Sequence, residues 1–310
     1  MTAAQRPMNA QEWGLLLFLS LLWGGSFFFV GVAVKALPPF TIVAARVGIA
    51  AVLLWSTARL TGLSPRAVAR HAPALALLGL INNAAPFVLI VWGQTRLASG
   101  LAAILNASTP IFTVILAHFV TTTERLTWSR FGGAALGLAG VAAMMGGDYL
   151  GADSSLWAEF AVLGAAGAYA CASLYARRFR ARGLAPIDIA TGQVTAAALM
   201  LLPLALFVDR PWTLPAPGLA PLSAILAIGA FSTALAYVVY FRILAGAGAT
   251  NVVLVTLLAP VTSIFLGAFA LGERLELRHF VGLALIAGGL ALIDGRVWRW
   301  LGGSAAGVRV

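Results

Sequence analysis

The sequence predicts an all-α integral membrane protein, with ten transmembrane helices arranged as two inverted five-helix repeats. Three observations lead there. Of 310 residues, 61% are hydrophobic and 10% charged, with a mean hydropathy of +0.96, whereas soluble domains carry about 25% charged residues. Cutting the chain where charges, proline and glycine cluster leaves ten apolar segments, each near the roughly 20 residues that cross about 30 Å of hydrocarbon as a helix. Finally, one stretch recurs: residues 98–126 read ASGLAAILNASTPIFTVILAHFVTTTERL and residues 247–275 read AGATNVVLVTLLAPVTSIFLGAFALGERL. Pro110 and Pro260 are 150 residues apart, and Glu124 and Glu273 are 149 apart. That offset is close to half the chain, which divides it into repeats at 1–150 and 151–310.

The segments run at 13–34, 38–58, 73–92, 98–120, 129–146, 156–176, 186–208, 217–241, 248–270 and 278–295. The first is followed by further spans and lacks a small-residue cleavage signature, so it reads as retained. Cys171 is the only cysteine, which excludes an internal disulfide framework. The net charge of +10 does not point to nucleic acid, because the basic residues sit in short connectors and not along one polar face. They carry topology instead. With a cytoplasmic N-terminus, fourteen basic residues fall in inside connectors and termini, among them Arg66, Arg70, Arg177, Arg178 and Arg182. Five fall outside: Lys35, Arg96, Arg210, Arg274 and Arg278. The positive-inside rule then places both termini in the cytoplasm. Because five helices per unit is odd, the second unit enters the membrane from the opposite side. The match continues past the acidic residue, where Phe131, Gly133, Leu136 and Gly140 pair with Phe280, Gly282, Leu285 and Gly289.

These features together resemble the EamA-type drug/metabolite transporters, and most of all the YddG-type aromatic amino-acid exporters. The motifs are Trp23-Gly24 in segment 1, Pro39 followed by Arg46 in segment 2, and two copies of proline, Glu-Arg-Leu and a glycine-rich helix. The resemblance implies a secondary transporter of the bacterial inner membrane that exports amino acids and related small metabolites by alternating access. Multidrug or planar-cation efflux is the alternative. A channel or an intramembrane enzyme is more remote, and the sequence offers neither paired central aspartates nor a histidine motif at depth. No cofactor or metal is expected, since His71 and His279 lie in connectors and His118 lies near a helix end. The expected partners are a small-molecule substrate and the lipid bilayer.

Trp23 falls near the middle of segment 1, away from the interfaces that membrane tryptophans favour. It either faces a cavity, with Phe27 one turn along, or packs a helix interface beside Gly24 and Gly25. Asn82 and Asn83 in segment 3 and Asn106 in segment 4 are amides in hydrocarbon, costly unless bonded. Asn83 and Phe87 share a face and offer one ligand a polar group and an aromatic wall. Ser232, Thr233, Tyr237 and Tyr240 in segment 8 and Thr256 in segment 9 are the matching set of the second unit, with Tyr169 near the centre of segment 6. Interhelical packing is the other reading of each.

Pro110 and Pro260 remove a backbone hydrogen bond and bend their helices, so they are candidate hinges. Arg46 is the one cation well inside a span. It suits a substrate carboxylate, but its place in the motif points to a structural charge that bonds backbone carbonyls at a helix end. Glu124 and Glu273, each beside an arginine, are expected to cap or brace the following helix. The small-xxx-small pairs Gly133/Gly137 and Ala284/Gly288 read as close packing. Glu159, Asp188 and Asp294 all fall near interfaces, so no internal proton relay is visible, and facilitated movement down a gradient, or coupling by a weakly specified route, is expected.

Overall fold

The structure is a computed structural model, and it describes residues 9–57, 60, 62–120, 128–145, 154–247, 255–274 and 276–294. Among these residues all regular structure is helical. In chain order the helices are α1 (Ala10–Ala33), α2 (Pro39–Ser56), α3 (Pro65–Arg70), α4 (Ala72–Gly79), α5 (Ala85–Gln94), α6 (Ser99–Asn106), α7 (Thr109–Val120), α8 (Trp128–Met145) and α9 (Ser154–Ala181). There follow α10 (Pro186–Leu204), α11 (Leu219–Gly229), α12 (Ala236–Ala247), α13 (Val255–Leu271) and α14 (Leu277–Asp294). Among the described residues, seven helical stretches are long and apolar enough to cross a membrane: Ala10–Ala33, Pro39–Ser56, Ala72–Gln94, Ser99–Val120, Leu156–Phe179, Pro186–Thr213 and Leu219–Ile243. Three shorter apolar helices accompany them, at Phe131–Ala143, Leu258–Leu271 and Leu277–Gly289.

Helix starts follow local chemistry. Asn9 and Glu12 form a reciprocal capping box at α1. Pro39, Pro65 and Pro186 each occupy a first helical position, where the missing N–H is no loss.

The distribution of side chains is inverted relative to a soluble protein. Phe269 (84% exposed) and Phe207 (76%) face outward, whereas Asn83, Thr191, Gln193 and Arg46 are buried. An apolar exterior over a polar interior is stable only in lipid. The chain is a multi-pass membrane protein.

Of three π-helical turns among the described residues, two organise the interior, the third (Ala205–Asp209) lying at the end of α10. A π-helical turn at Leu80–Ala84 joins α4 to α5, and a second at Ala230–Leu235 joins α11 to α12. They lie 150 residues apart. Each follows a glycine at which another helix comes close. A side chain on Gly79 would collide with the Gln193 carbonyl, and a Cβ on Gly229 would sit 2.7 Å from Ile49 and 3.1 Å from the Arg46 carbonyl. In the first turn Pro86 cannot donate to the Asn82 carbonyl, and the Ala85 N–H reaches back to Leu80. The second has no proline. There the Thr233 hydroxyl donates to the Ile228 carbonyl at 2.9 Å, back-bonding that holds the widened turn.

Helices α8 and α14 pack by a reciprocal pair. Gly140 faces the Gly282 carbonyl and Gly289 faces the Gly133 carbonyl, so any side chain at either glycine would strike backbone. Of the expected second pair, Ala284 is exposed and Gly288 meets only Leu136 at ordinary contact distance. Gly282 and Gly289 make the close approach instead.

At Pro110 the span breaks just before the proline. The helix is already interrupted at Ala107-Ser108, and Pro110 stands second in α7, near a helix start. The Asn106 carbonyl that the proline leaves without its usual donor accepts from the Thr109 hydroxyl at 2.7 Å. Pro260, by contrast, is buried inside an unbroken α13.

Candidate functional site

Four spans bring their middle residues to one place. Arg46 lies on α2, Asn83 on the first π turn, Thr233 on the second, and Tyr169 on α9. The Arg46 Nε donates to the Thr233 Oγ1 at 2.9 Å, across 187 residues of sequence. Its guanidinium carbon stacks 3.6 Å above the centre of the Phe87 ring. Asn83 Nδ2 donates to the Tyr237 hydroxyl at 3.0 Å, and Tyr169 meets Phe87 edge-on with ring centres 6.5 Å apart. The cluster therefore contains a cation, an amide, hydroxyls and aromatic faces, held by residues from both halves of the chain.

Arg46 is thus not bonded to backbone carbonyls at a helix end. Its partner is a side-chain hydroxyl of the other half, because α2 packs on the second π turn and not on a helix terminus. Among the described residues it has no ion-pair partner; the one arginine–carboxylate pair there is Arg278–Glu276, which is exposed to solvent.

A matching contact stands on the other side. Asn82 Nδ2 donates to Gln193 Oε1 at 2.9 Å. Gln193 is 147 residues from Arg46, the same offset that separates Pro39 from Pro186. Sequence reasoning passed over Gln193, although that proline register pointed to it. Asn82 consequently turns away from the Arg46 cluster, while Asn83 joins it. Trp55 Nε1 to Thr195 Oγ1, at 3.0 Å, further ties α2 to α10.

The remaining candidates divide. Trp23 packs on Tyr240 (5.7 Å), Tyr240 on Phe241 (5.2 Å), and Phe241 stacks on Tyr237 (6.1 Å), so a run of rings connects α1 to the cluster. Phe27 does not share that run. It is buried among residues of α5 and α6, and its carbonyl accepts from Gln94 Nε2 at 2.8 Å. Ser232 is buried beside Thr233, and neither its Oγ nor Asn83 Oδ1 has a hydrogen-bond partner. Asn106, at the end of α6, also has a buried Oδ1 without a partner. Thr256 is half-buried next to Val255, which belongs to the group of apolar residues around Trp23.

Glu273 braces a different helix from the one expected. Gly272, at φ +68°, turns the chain after α13. The carboxylate then reaches Ser99 N (2.9 Å), Ser99 Oγ (2.7 Å) and Gly100 N (3.3 Å), capping α6 from across the bundle. Glu124, its counterpart, lies outside the described residues. Asp209 does similar work, accepting from Thr41 N at 2.6 Å and Thr41 Oγ1 at 2.9 Å at the start of α2. The buried carboxylates among the described residues, Glu12, Glu159 and Asp188, all lie within the first six residues of a helix. At one end of the bundle Arg66, Arg70 and Arg182 converge with Asp188 on a cleft of about 310 Å³.

A solved protein crystal structure, 21% identical, superposes with a TM-score of 0.66 over 94% of this chain and 99% of its own, which shows the fold. The "Probable terminal-alkyne amino-acid exporter" of Streptantibioticus cattleyicolor is 27% identical over 292 residues, covering 93% of this chain and 95% of that one. The uncharacterized inner membrane transporter YedA of Escherichia coli (strain K12) is 26% identical over 289 residues, covering 90% and 89%. The model of the EamA-like transporter family matches residues 12–146 and again 156–294, the two stretches whose middle residues meet at Arg46 and Thr233. The chain belongs to the EamA-like transporter family.

Proposed function

We propose that this transporter exports amino acids, aromatic ones among them, across a bacterial inner membrane by alternating access of two inverted five-helix repeats, residues 1–150 and 151–310, with both termini cytoplasmic. The observation that carries the reading is the shared central cluster. Arg46, Asn83 and Phe87 come from one half, and Thr233 and Tyr237 from the other. A ligand held there touches both halves, so rocking of one against the other exposes it to each side in turn. Aromatic faces beside an amide and hydroxyls suit a partly apolar zwitterion. The name of the Streptantibioticus relative supports the same substrate class. The cleft that brings Arg66 and Arg70 of one half beside Arg182 of the other agrees with both connectors lying on one side of the membrane, as the arginine count requires. Among the described residues the buried carboxylates lie near helix starts, which favours flux down the substrate gradient over coupling to protons.

The test is counterflow in proteoliposomes loaded with phenylalanine, threonine or a planar organic cation. Saturable phenylalanine exchange is the expected result. Movement of the cation without either amino acid would replace this reading with multidrug efflux. An imposed pH gradient that drives phenylalanine uphill would refute uncoupled transport.

A further inference from the structure

We infer that Arg46 is the group that binds the carboxylate of the transported molecule, so that the protein selects monocarboxylates and zwitterions and rejects amines and cations. This rests on the reading of the central cluster as the transport site, and it reverses the structural role expected of Arg46 from its motif.

The first argument is what the charge is not needed for. In the second half, Gln193 occupies the place that Arg46 holds in the first, and it accepts a bond across the bundle from Asn82, one position before the counterpart of Thr233. A neutral amide therefore suffices to tie the halves together. A buried cation without a counter-ion is costly in a low-dielectric interior, and architecture alone gives no reason to bear that cost at Arg46, which is only 6% exposed.

The second argument is geometric. One edge of the guanidinium is fixed by Nε on Thr233 Oγ1, and that hydroxyl is already committed as a donor to the Ile228 carbonyl. One face is covered by Phe87 at 3.6 Å. Among the described residues no hydrogen bond is made by the two terminal nitrogens. They form the planar fork that matches the two oxygens of a carboxylate. Held at the edge and stacked on one face, the fork is oriented before the ligand arrives, which reduces the ordering cost of binding.

The third argument concerns the remainder of the ligand. Asn83, fully buried, spends its Nδ2 on Tyr237 and has an unpartnered Oδ1; Ser232, 2% exposed, has an unpartnered Oγ. The Asn83 oxygen accepts hydrogen bonds and belongs to the residue already bonded to Tyr237, so an ammonium group has an acceptor in the cluster. Phe87 and Tyr169 supply a wall for an apolar side chain. A cation in place of the zwitterion would meet Arg46 with no charge to offset the repulsion.

The experiment uses the purified full-length protein in proteoliposomes and competes four ligands against phenylalanine counterflow: phenylalanine itself, 3-phenylpropionate, phenylalaninamide and phenethylamine. Phenylpropionate should compete, and the amide and amine should be weaker than phenylalanine by about 10- to 100-fold, the range for loss of a hydrogen bond to a charged group. This comparison needs no variant. In Arg46→Gln, provided it elutes as a single species, the affinity for phenylalanine should fall by a similar factor while that for phenylalaninamide rises, because the repulsion is gone. Equal competition by phenylalanine and phenylalaninamide in the unaltered protein would overturn the carboxylate assignment and leave the transporter reading in place. Absence of saturable movement for all four ligands would overturn the transport reading, and the assignment with it.

Discussion

The two halves of this protein make corresponding contacts with different chemistry. Gly79 and Gly229 bring a helix of the other half close, and each opens into a π turn with two polar residues, Asn82-Asn83 in one half and Ser232-Thr233 in the other. Gly140 and Gly289 likewise exchange backbone contacts between α8 and α14. At the centre the correspondence breaks. Arg46 meets Thr233, whereas Gln193 meets Asn82 and not Asn83, the counterpart of Thr233, and the Pro110 helix is interrupted where the Pro260 helix runs on. The matched features are those that set helix spacing, and the unmatched ones lie where a ligand would sit. A transport site of the kind proposed, holding one asymmetric molecule, gains nothing from two identical binding groups.

The largest effect should come from the matched glycines. Leucine at Gly140 or Gly289 places side-chain atoms on backbone that cannot move aside, and either variant should fail to yield folded protein in detergent. A monodisperse Gly289→Leu protein would show that α8 and α14 are not held as described. The central pair should then separate function from architecture. Arg46→Met should reduce phenylalanine flux by about 10- to 100-fold and raise or preserve the melting temperature, since it removes a buried unpaired charge. Gln193→Met leaves the Asn82 amide without its acceptor and should cost about 1–3 kcal/mol of stability with a smaller loss of flux. Equal flux in the two variants would make the difference between the halves ornamental.

Smaller effects are expected at the rim and at the prolines. Glu273→Gln retains the shape but weakens the cap on α6, a loss of about 1 kcal/mol read as a lower melting temperature. Pro110→Ala, at a helix start, should change stability by no more than about 0.5 kcal/mol and leave transport near normal. Pro260→Ala, inside α13, restores a backbone donor and should slow transport if that helix flexes there. Similar slowing in both proline variants would return the two positions to a matched pair of hinges; unchanged transport in the double variant would remove the hinge idea altogether.

Much of the fold was legible in the sequence, and particular residues show where legibility stopped. Asn83 and Phe87 were recognisable as one face of a helix, and both joined the cluster. Asn82, adjacent in sequence, turned to Gln193, because a π turn changes the angular step between neighbours and helical spacing no longer describes them. Trp23 and Phe27 are one turn apart, yet they pack in different groups, since α1 is covered on several sides by helices distant in sequence. Arg46 was conspicuous as a charge, while its partner Thr233 lay 187 residues away. Glu273 was expected to serve the helix that follows it and instead caps α6, whose start is 174 residues distant.

Hydropathy, the placement of arginines and the 150-residue offset between Pro110 and Pro260 are properties of the chain itself. They determined a helical membrane protein of duplicated sequence, because the bilayer imposes span length and charge placement on each segment separately. The pairing of Arg46 with Thr233, of Asn82 with Gln193 and of Glu273 with Ser99 was decided only when the helices were packed. Which face of a helix meets which neighbour depends on the closest approach that glycines and π turns permit, and that is a property of two helices together.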